Sequence, residues 1–213
     1  MVFKVLFFDL DDTLYPSTSG IWGALQKRIE LYMTDVMKFS AEIVPGLRKE
    51  LFLKHGTTLR GLQREYQVDT QEFLDFVHDI PLGNYLKPDP RLQKTLSLYP
   101  QRKVIFTNAD TNHANRVIVT LGLEGCFDQI IDIRDIYPYC KPQIEAFQKA
   151  LQLAGVEDPE ECIMIDDAPR NLLAAKTLGL FTIQIGTESC QPEIDASISS
   201  LMELPRVFPI LQL

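Results

Sequence analysis

The feature that most limits how this chain can fold is a regular alternation of helix-like and strand-like segments from about residue 88 onward. Short apolar runs have the composition of buried strands, and segments with helical periodicity separate them. Strands that alternate with helices in this way are typical of parallel βαβ units. We therefore predict an α/β fold with a doubly wound parallel sheet. The predicted strands in this part of the chain are KVIFT, QIIDI, CIMID and FTIQIG.

A further apolar run opens the chain and ends in carboxylates. Residues 2–8 are rich in β-branched and aromatic side chains, and Asp9, Leu10, Asp11 and Asp12 follow directly. Carboxylates this close repel one another and lose solvation when they are buried, so a pKa must rise or a cation must join them. Taken by itself, the segment is equally consistent with a strand that ends in a solvated acidic turn.

Between this strand and residue 88 the pattern is helical only. A helix is predicted to end at Gly56, the next to be capped by Thr57 or Thr58, and another to be capped by Asp69 or Thr70. Strand-like periodicity is lacking here, which indicates an inserted helical domain. The predicted domains are a core, residues 1–15 and 88–213, and a helical insert, residues 16–87.

Composition limits the partners of the chain. Its 213 residues include 21 basic and 29 acidic side chains, giving a net charge of −8, which argues against binding a nucleic-acid polymer. A small phosphorylated molecule stays possible, because one metal ion and one lysine can offset its charge. No apolar stretch approaches the roughly 18 residues of a membrane span. We expect a cytoplasmic monomer or homodimer.

Polar side chains follow the other predicted strands as well. They come directly after KVIFT and at the end of CIMID, and Lys141-Pro142 precedes the helix after QIIDI, where Pro142 fits the first helical turn. Neighbouring parallel strands end at one edge of a sheet, so these groups are expected to meet the opening acids near its switch point. The residues brought together would be Asp9, Asp11, Thr107, Asn108, Lys141, Asp166 and Asp167.

This set has the chemistry of phosphoryl transfer. Carboxylates with room for water and phosphate oxygens suit Mg²⁺. One carboxylate can attack phosphorus to form an aspartyl-phosphate, while a second, kept protonated, donates to the leaving oxygen and then activates water. A hydroxyl, an amide and an ammonium can hold the phosphoryl oxygens.

The segments that carry these residues resemble a known family. FFDLDDTLYP resembles the first motif, DxDxT, of the haloacid dehalogenase superfamily, and Thr107, Lys141 and Asp166-Asp167 look like its remaining motifs in order. The insert resembles a C1 helical cap on a Rossmann-like core. FTNADTNHANRVIVTLGLEGCFDQI, CKP, MIDDAPRN and HGTTLRGLQREYQVD are similar to the pyrimidine 5′-nucleotidase branch. The resemblance implies a Mg²⁺-dependent phosphatase of a nucleoside 5′-monophosphate.

The resemblance also implies a role for each matching residue. Asp9 is the expected nucleophile and a metal ligand, Asp11 the acid/base that lends its backbone carbonyl to the metal, and Asp166 a further ligand. Lys141 offsets negative charge on the phosphate and the nucleophile. The other expected residues are Leu10, Thr107 and Asn108 for substrate binding and Asp167 for orienting Lys141 or a metal-bound water.

One position departs from the family pattern. Many relatives have another acid four or five residues beyond the first motif-four aspartate, where this chain has Asn171. Either Asp167 takes over the role of that acid, or the site carries one negative charge less.

Substrate choice is expected to depend on the insert. Thr57, Thr58 and Arg60 follow Gly56 and offer hydroxyls and a forked donor that suit a base or ribose, and Tyr15 lies just past the first motif. The alternative is that Thr58 only caps a helix and Arg60 is solvated. The histidines, His55, His78 and His113, show no metal-ligand spacing and are interpreted as structural.

Other functions remain open at this point. A phosphatase of a sugar phosphate or of phosphoglycolate would use the same core residues. A metal-independent 2-haloacid dehalogenase is the nearest rival, although Asp11 argues against it. A Mg²⁺-binding phospho-acceptor module of signalling also uses acids, threonine and lysine, but its acid pair lies on the first strand.

Overall fold

The structure is built around one parallel β-sheet. The computed structural model describes residues 3–186 and 191–208. Six strands in this part of the chain pair in the order β3-β2-β1-β4-β5-β6, all parallel, which confirms the predicted doubly wound α/β fold. The strands are β1 Val5–Phe8, β2 Arg102–Phe106, β3 Gln129–Ile131, β4 Cys162–Asp166, β5 Phe181–Ile185 and β6 Ala196–Ile198.

Helices flank the sheet and form the insert. No helix in the described ranges is both long and apolar enough to cross a membrane. Helices α1 to α4 lie within the insert, whose assignment as a separate cap domain stays a prediction. The helices are α1 Ile21–Leu31, which continues as a π-helical turn, Tyr32–Val36, then α2 Val44–His55, α3 Thr58–Tyr66, α4 Thr70–His78, α5 Pro90–Ser97, α6 Thr111–Leu121, α7 Ile144–Leu153, α8 Pro169–Thr177 and α9 Leu204–Val207.

The central strand β1 determines where the polar strand ends meet. β1 pairs with β2 on one side and with β4 on the other, placing Phe8 opposite Ile105 and Ile165. The backbone N–H of Asp9 extends the ladder and donates to Ile165 O at 2.9 Å. The residues that follow these three strands therefore converge at the switch point, as the alternation of segments predicts.

Alternating side chains of β1 supply two apolar layers. Leu6 and Phe8 point into a cluster that continues through the insert, where Tyr32 and Leu74 belong to it. Phe7, with Val5, points to the opposite face, beneath α7 and α8. Burial on both faces explains why β1 reads as a continuous apolar run. The insert thus shares its core with one face of the sheet.

One local prediction needs correction. The helix after β3 begins at Ile144 with Gln143 as its N-cap, so Pro142 precedes the helix instead of occupying its first turn. At the end of the described chain, β6 is followed by a 3₁₀ turn, Leu201–Glu203, and by the short helix α9.

Helices α2 and α3 pack unusually close together. A Cβ added at Gly61 of α3 would lie 2.6 Å from Leu51 Cβ of α2, well inside van der Waals contact. Thr57 caps α3, since its side chain accepts a hydrogen bond from Arg60 N, which settles the choice between Thr57 and Thr58. Close packing of these helices fixes the segment that the sequence assigns to substrate recognition.

Gly61→Ala is expected to lower the free energy of unfolding by about 1–3 kcal/mol, because overpacking displaces the two helices. The measurement is urea denaturation followed by circular dichroism. Gly23→Ala is the matched control in α1: its added Cβ meets no atom within 4 Å. The control should be neutral or should stabilise by up to about 1 kcal/mol through helix propensity. Equal midpoints for the two variants would contradict the close α2–α3 contact.

Candidate active site

A buried lysine joins the strand ends. Lys141 lies ten residues beyond β3, in the loop before α7, and its side chain is 1% exposed. Its Nζ donates to Asp9 Oδ1 at 2.7 Å and to Asp166 Oδ2 at 2.8 Å. The ammonium therefore bridges the carboxylates that follow β1 and end β4. The loop, not a strand end, delivers the lysine to this position.

Asn108 explains how a loop residue is held so firmly. The backbone N–H of Lys141 donates to Asn108 Oδ1 at 2.9 Å, and Asn108 Nδ2 donates to Lys141 O at 3.1 Å. Both ends of the side-chain amide are thus engaged with Lys141. Its neighbour Thr107 is buried and accepts from Ala109 N at 2.9 Å, which leaves the hydroxyl proton to donate. Phosphate binding by these two residues stays a prediction.

Three carboxylates lie together at this edge. Single oxygens of Asp9, Asp166 and Asp167 all fall within 4.8 Å of one another. Burial raises the pKa of Asp9 well above its usual value, with the charges of Asp166 and Asp167 adding to the effect and Lys141 opposing it. Burial and the charge of Asp166 likewise raise the pKa of Asp167 to about 7. The cluster is therefore short of positive charge.

The residues present fit a divalent cation. Three carboxylates (−3) against the one ammonium of Lys141 (+1) leave a formal charge of −2. Asn171 Oδ1 is also buried here and finds no hydrogen-bond partner among the described residues. Hard oxygen ligands with space for water are what Mg²⁺ prefers. The side chain that completes the cluster is that of Asp167, whereas the carboxylate of Asp11 is not among its members.

The carboxylate of Asp11 is held by two donors. Tyr15 Oη donates to Asp11 Oδ1 at 2.5 Å, and His113 Nε2 lies 2.9 Å from the same oxygen. Burial alone would raise the pKa of Asp11, but the charge of His113 and these two hydrogen bonds outweigh it and hold the pKa at about 2. These contacts favour the ionised form of Asp11.

Two expectations change with this arrangement. Tyr15 was expected to pack against substrate, but its ring is buried and its hydroxyl is engaged with Asp11. His113 was interpreted as structural, yet it contacts the expected acid/base. The signal that points to His113 is its place in the first turn of α6, directly after the polar end of β2.

A cavity of about 330 Å³ lies between the sheet edge and the insert. The insert contributes a mostly apolar wall, and the core contributes most of the polar groups. The cavity is lined from the core by Asp9, Asp11, Asp12, Thr107, Asn108, Ala109, Ile133, Lys141, Asp167, Ala168, Arg170 and Asn171, and from the insert by Trp22, Leu25, Ile29, Arg48, Phe52, Thr57, Thr58, Leu59, Phe73, Leu74, Val77 and His78.

The comparison with known proteins agrees with this geometry. The sequence profile of the haloacid dehalogenase-like hydrolases matches residues 3–179. The chain belongs to this family.

Two curated relatives and one solved structure illustrate its place there. The chain is 27% identical to Phosphate metabolism protein 8 of Saccharomyces cerevisiae over 223 aligned positions, covering 98% of this chain and 70% of that protein. It is 27% identical to phosphoglycolate phosphatase of Aquifex aeolicus over 188 positions, covering 84% and 83%. The crystal structure of a HAD phosphatase from Thermococcus onnurineus aligns with a TM-score of 0.68 at 19% identity, covering 99% and 100%, which shows a common fold alone.

Within this haloacid dehalogenase-like hydrolase, Asn171 supports Asp166. Asn171 Nδ2 lies 3.0 Å from each carboxylate oxygen of Asp166, and Ala168 N donates to Asp166 Oδ1 at 2.9 Å. An acid at position 171 would repel Asp166, whereas the amide donates to it. Asp167 belongs to the carboxylate cluster, and its taking over the role of the missing acid stays a prediction.

Two residues that the sequence assigns to substrate binding, Arg60 and Leu10, have buried side chains in this hydrolase. Arg60 is 2% exposed: Nε and Nη2 donate to Tyr139 O at 3.0 and 2.8 Å, and Nη2 also donates to Ile133 O. Nη1 donates to Gln63 Oε1 at 2.8 Å, so the guanidinium group is hydrogen-bonded within the protein and is not solvated. Substrate binding by Arg60 stays a prediction. The side chain of Leu10 is fully buried in the apolar core, so only its backbone can meet substrate.

Arg60→Leu should lower the free energy of unfolding by about 2 kcal/mol or more, because buried carbonyls that lose their donors each cost roughly 1–3 kcal/mol. Thermal and urea denaturation measure the loss. Arg64→Leu is the control on the exposed side of the same helix and should stay within about 0.5 kcal/mol of the wild type. An Arg60 variant as stable as the control would show that the bonds to the core contribute nothing.

Proposed function

We propose that this hydrolase is a Mg²⁺-dependent phosphatase that hydrolyses a small phosphate monoester through an aspartyl-phosphate on Asp9. One observation supports it most: Asp9 borders the cavity with Lys141 on its carboxylate and with two further acids close by. Such a set combines a nucleophile, a fixed cation and a place for a metal ion. A dehalogenase has no need of the metal or of Asp11.

The first half-reaction transfers the phosphoryl group. A carboxylate oxygen of Asp9 attacks phosphorus, the bond from phosphorus to the ester oxygen breaks, and the leaving oxygen takes a proton from Asp11. Lys141 and the hydroxyl of Thr107 hold the phosphoryl oxygens, on which charge accumulates. Asp9 ends the step as an acyl phosphate, and Asp11 ends it as a carboxylate.

The second half-reaction returns the enzyme to its starting state. Asp11 removes a proton from a water molecule, which attacks the phosphorus and releases inorganic phosphate and the carboxylate of Asp9. Asp11 then carries the proton that the next leaving group needs. The contacts of Tyr15 and His113 with one oxygen of Asp11 favour its carboxylate, the form that activates water.

A bound Mg²⁺ would offset the negative charge of the phosphate and so reduce its repulsion from Asp9. Asp9, Asp166 and Asp167 are the side chains that would hold it, with the backbone carbonyl of Asp11 as implied by the family resemblance. Lys141 could keep its two hydrogen bonds in such a site, because they take up only one oxygen of Asp9 and one of Asp166.

For the substrate we propose a nucleoside 5′-monophosphate, with the insert as a C1 cap over it. The aromatic rings of Trp22, Phe52 and Phe73 line the cavity and suit a flat base, and Thr58 supplies a hydroxyl at the same wall. The volume, about 330 Å³, lies near the lower limit of ligand pockets, so a nucleotide would fill it.

A small acidic ester is the second candidate. Arg48 and Arg170 also line the cavity, and guanidinium groups bind carboxylates well. Phosphoglycolate has both a phosphate and a carboxylate, and a phosphoglycolate phosphatase is among the relatives.

The deciding experiment is phosphate release from a panel of nucleoside monophosphates, sugar phosphates, phosphoglycolate and p-nitrophenyl phosphate. We expect release with Mg²⁺, loss of release with excess chelator, and highest kcat/KM for a nucleoside monophosphate. Full activity in chelator would overturn the metal-dependent mechanism. Preference for phosphoglycolate would replace the nucleotide by the second candidate, and no release from any ester would refute the phosphatase function.

Lys141→Ala should lower kcat/KM by about 10²–10³, the usual loss when a preorganised donor is removed. Lys141→Arg should restore little, because a planar fork does not replace a compact ammonium between two carboxylates. Steady-state kinetics on the best ester of the panel measure both effects. Lys94→Ala, an exposed lysine of α5, is the control and should match the wild type. An arginine variant with unchanged kcat/KM would count against the proposed role of the ammonium.

A further inference from the structure

Asp11 receives both of its donors on a single oxygen. Tyr15 Oη and His113 Nε2 lie 2.5 and 2.9 Å from Oδ1, which leaves the other oxygen, Oδ2, for the reacting groups. His113 is fully buried, so its ring cannot be replaced by water without rearrangement. A general acid/base must lie within hydrogen-bond reach of the atom that gains or loses the proton. The hydrogen bonds that hold Oδ1 therefore also set the direction of Oδ2.

A second histidine, His78, packs against the ring of His113. The ring of His78 stacks on it with centroids 4.3 Å apart and an angle of 19° between the planes. Asp110, the N-cap of α6, accepts from the backbone N–H of His113 at 2.9 Å, and His78 Nδ1 lies 3.0 Å from the same Asp110 oxygen. A stacked histidine pair is thus anchored at the start of α6.

The two histidines come from different parts of the chain. His78 is the last residue of α4 in the insert, whereas His113 belongs to α6 of the core. Arg116, one turn beyond His113, donates to His78 O at 2.7 Å and to Ile80 O at 2.5 Å. Helix α6 is therefore hydrogen-bonded to the residues that end and follow α4, and this contact places the ring of His78 against that of His113. A continuous set of contacts runs from the insert to Asp11.

We propose that His113, stacked on His78, is a positioning residue that aims the carboxyl group of Asp11, and that this aim depends on the docking of α4 on α6. The inference rests on the proposed phosphatase function. Loss of the histidine contact leaves Asp11 in the site but misplaced, and a misplacement of about 1 Å can cost on the order of 10²-fold in rate.

The test compares two esters that differ in their need for an acid. p-Nitrophenyl phosphate releases a stable phenolate, whereas phenyl phosphate of nearly the same shape releases one that needs a proton. kcat/KM covers the steps up to loss of the leaving group. We expect His113→Ala to lower kcat/KM for phenyl phosphate about tenfold more than for p-nitrophenyl phosphate, part of the 10²–10⁴ that acid–base catalysis contributes.

Conservative variants separate positioning from folding. The amide of His113→Gln can reach Asp11 and should recover part of the loss on phenyl phosphate, whereas the shorter His113→Asn should not. His78→Phe, which keeps a stacked ring, should lose less than His78→Ala. The Gln and Asn pair decides the question even where the alanine variants fail to fold.

His55→Ala is the matched control. His55 is a buried histidine of the insert whose Nε2 lies 2.7 Å from Glu65, and its effect should be equal on the two esters. Equal losses on both esters for His113→Ala, or a Gln variant no better than Asn, would overturn the inference while the wild type stays active. A wild type that hydrolyses no ester would overturn the proposed function itself.

Discussion

A charged lysine buried among carboxylates is the constraint on which this structure depends. Lys141 is 1% exposed, and Asp166, to which it donates, is fully buried. Removing such charges from water is costly unless they are paired and hydrogen-bonded. The pairing of Lys141 with Asp9 and Asp166 depends on the strand ends, on the amide of Asn108 and on the loop before α7. The net negative charge that remains on the cluster matches the charge of a divalent cation. A buried group of this kind is typical of a functional site.

The insert is tied to the same groups that the chemistry needs. Arg60 of α3 binds Tyr139 O, two residues before Lys141, so it fixes the loop that delivers the ammonium. Arg116 binds the end of α4 and brings His78 onto His113, beside Asp11. The insert therefore contacts both the loop that carries Lys141 and the histidine beside Asp11, and it also supplies the mostly apolar wall of the cavity.

The sequence predicts the sheet and the residues at its edge, because strand periodicity and the position of a residue after a strand are local properties. The sequence did not predict β6, because the three-residue segment ASI is too short to show strand periodicity. The contacts of Arg60 and His113 could not be predicted for another reason: their partners lie 79 and 102 residues away along the chain. The hydrogen bond from His113 that lowers the pKa of Asp11 is likewise a tertiary contact, which no spacing in the sequence encodes.

The most direct measurement of the central claim is identification of the phosphorylated residue. The enzyme is mixed with a ³²P-labelled ester that it hydrolyses, quenched in acid during turnover and digested for peptide mapping. The account predicts label on the peptide that contains Asp9 and no label in Asp9→Asn. Phosphate release without labelled protein, or label on another residue, would contradict it.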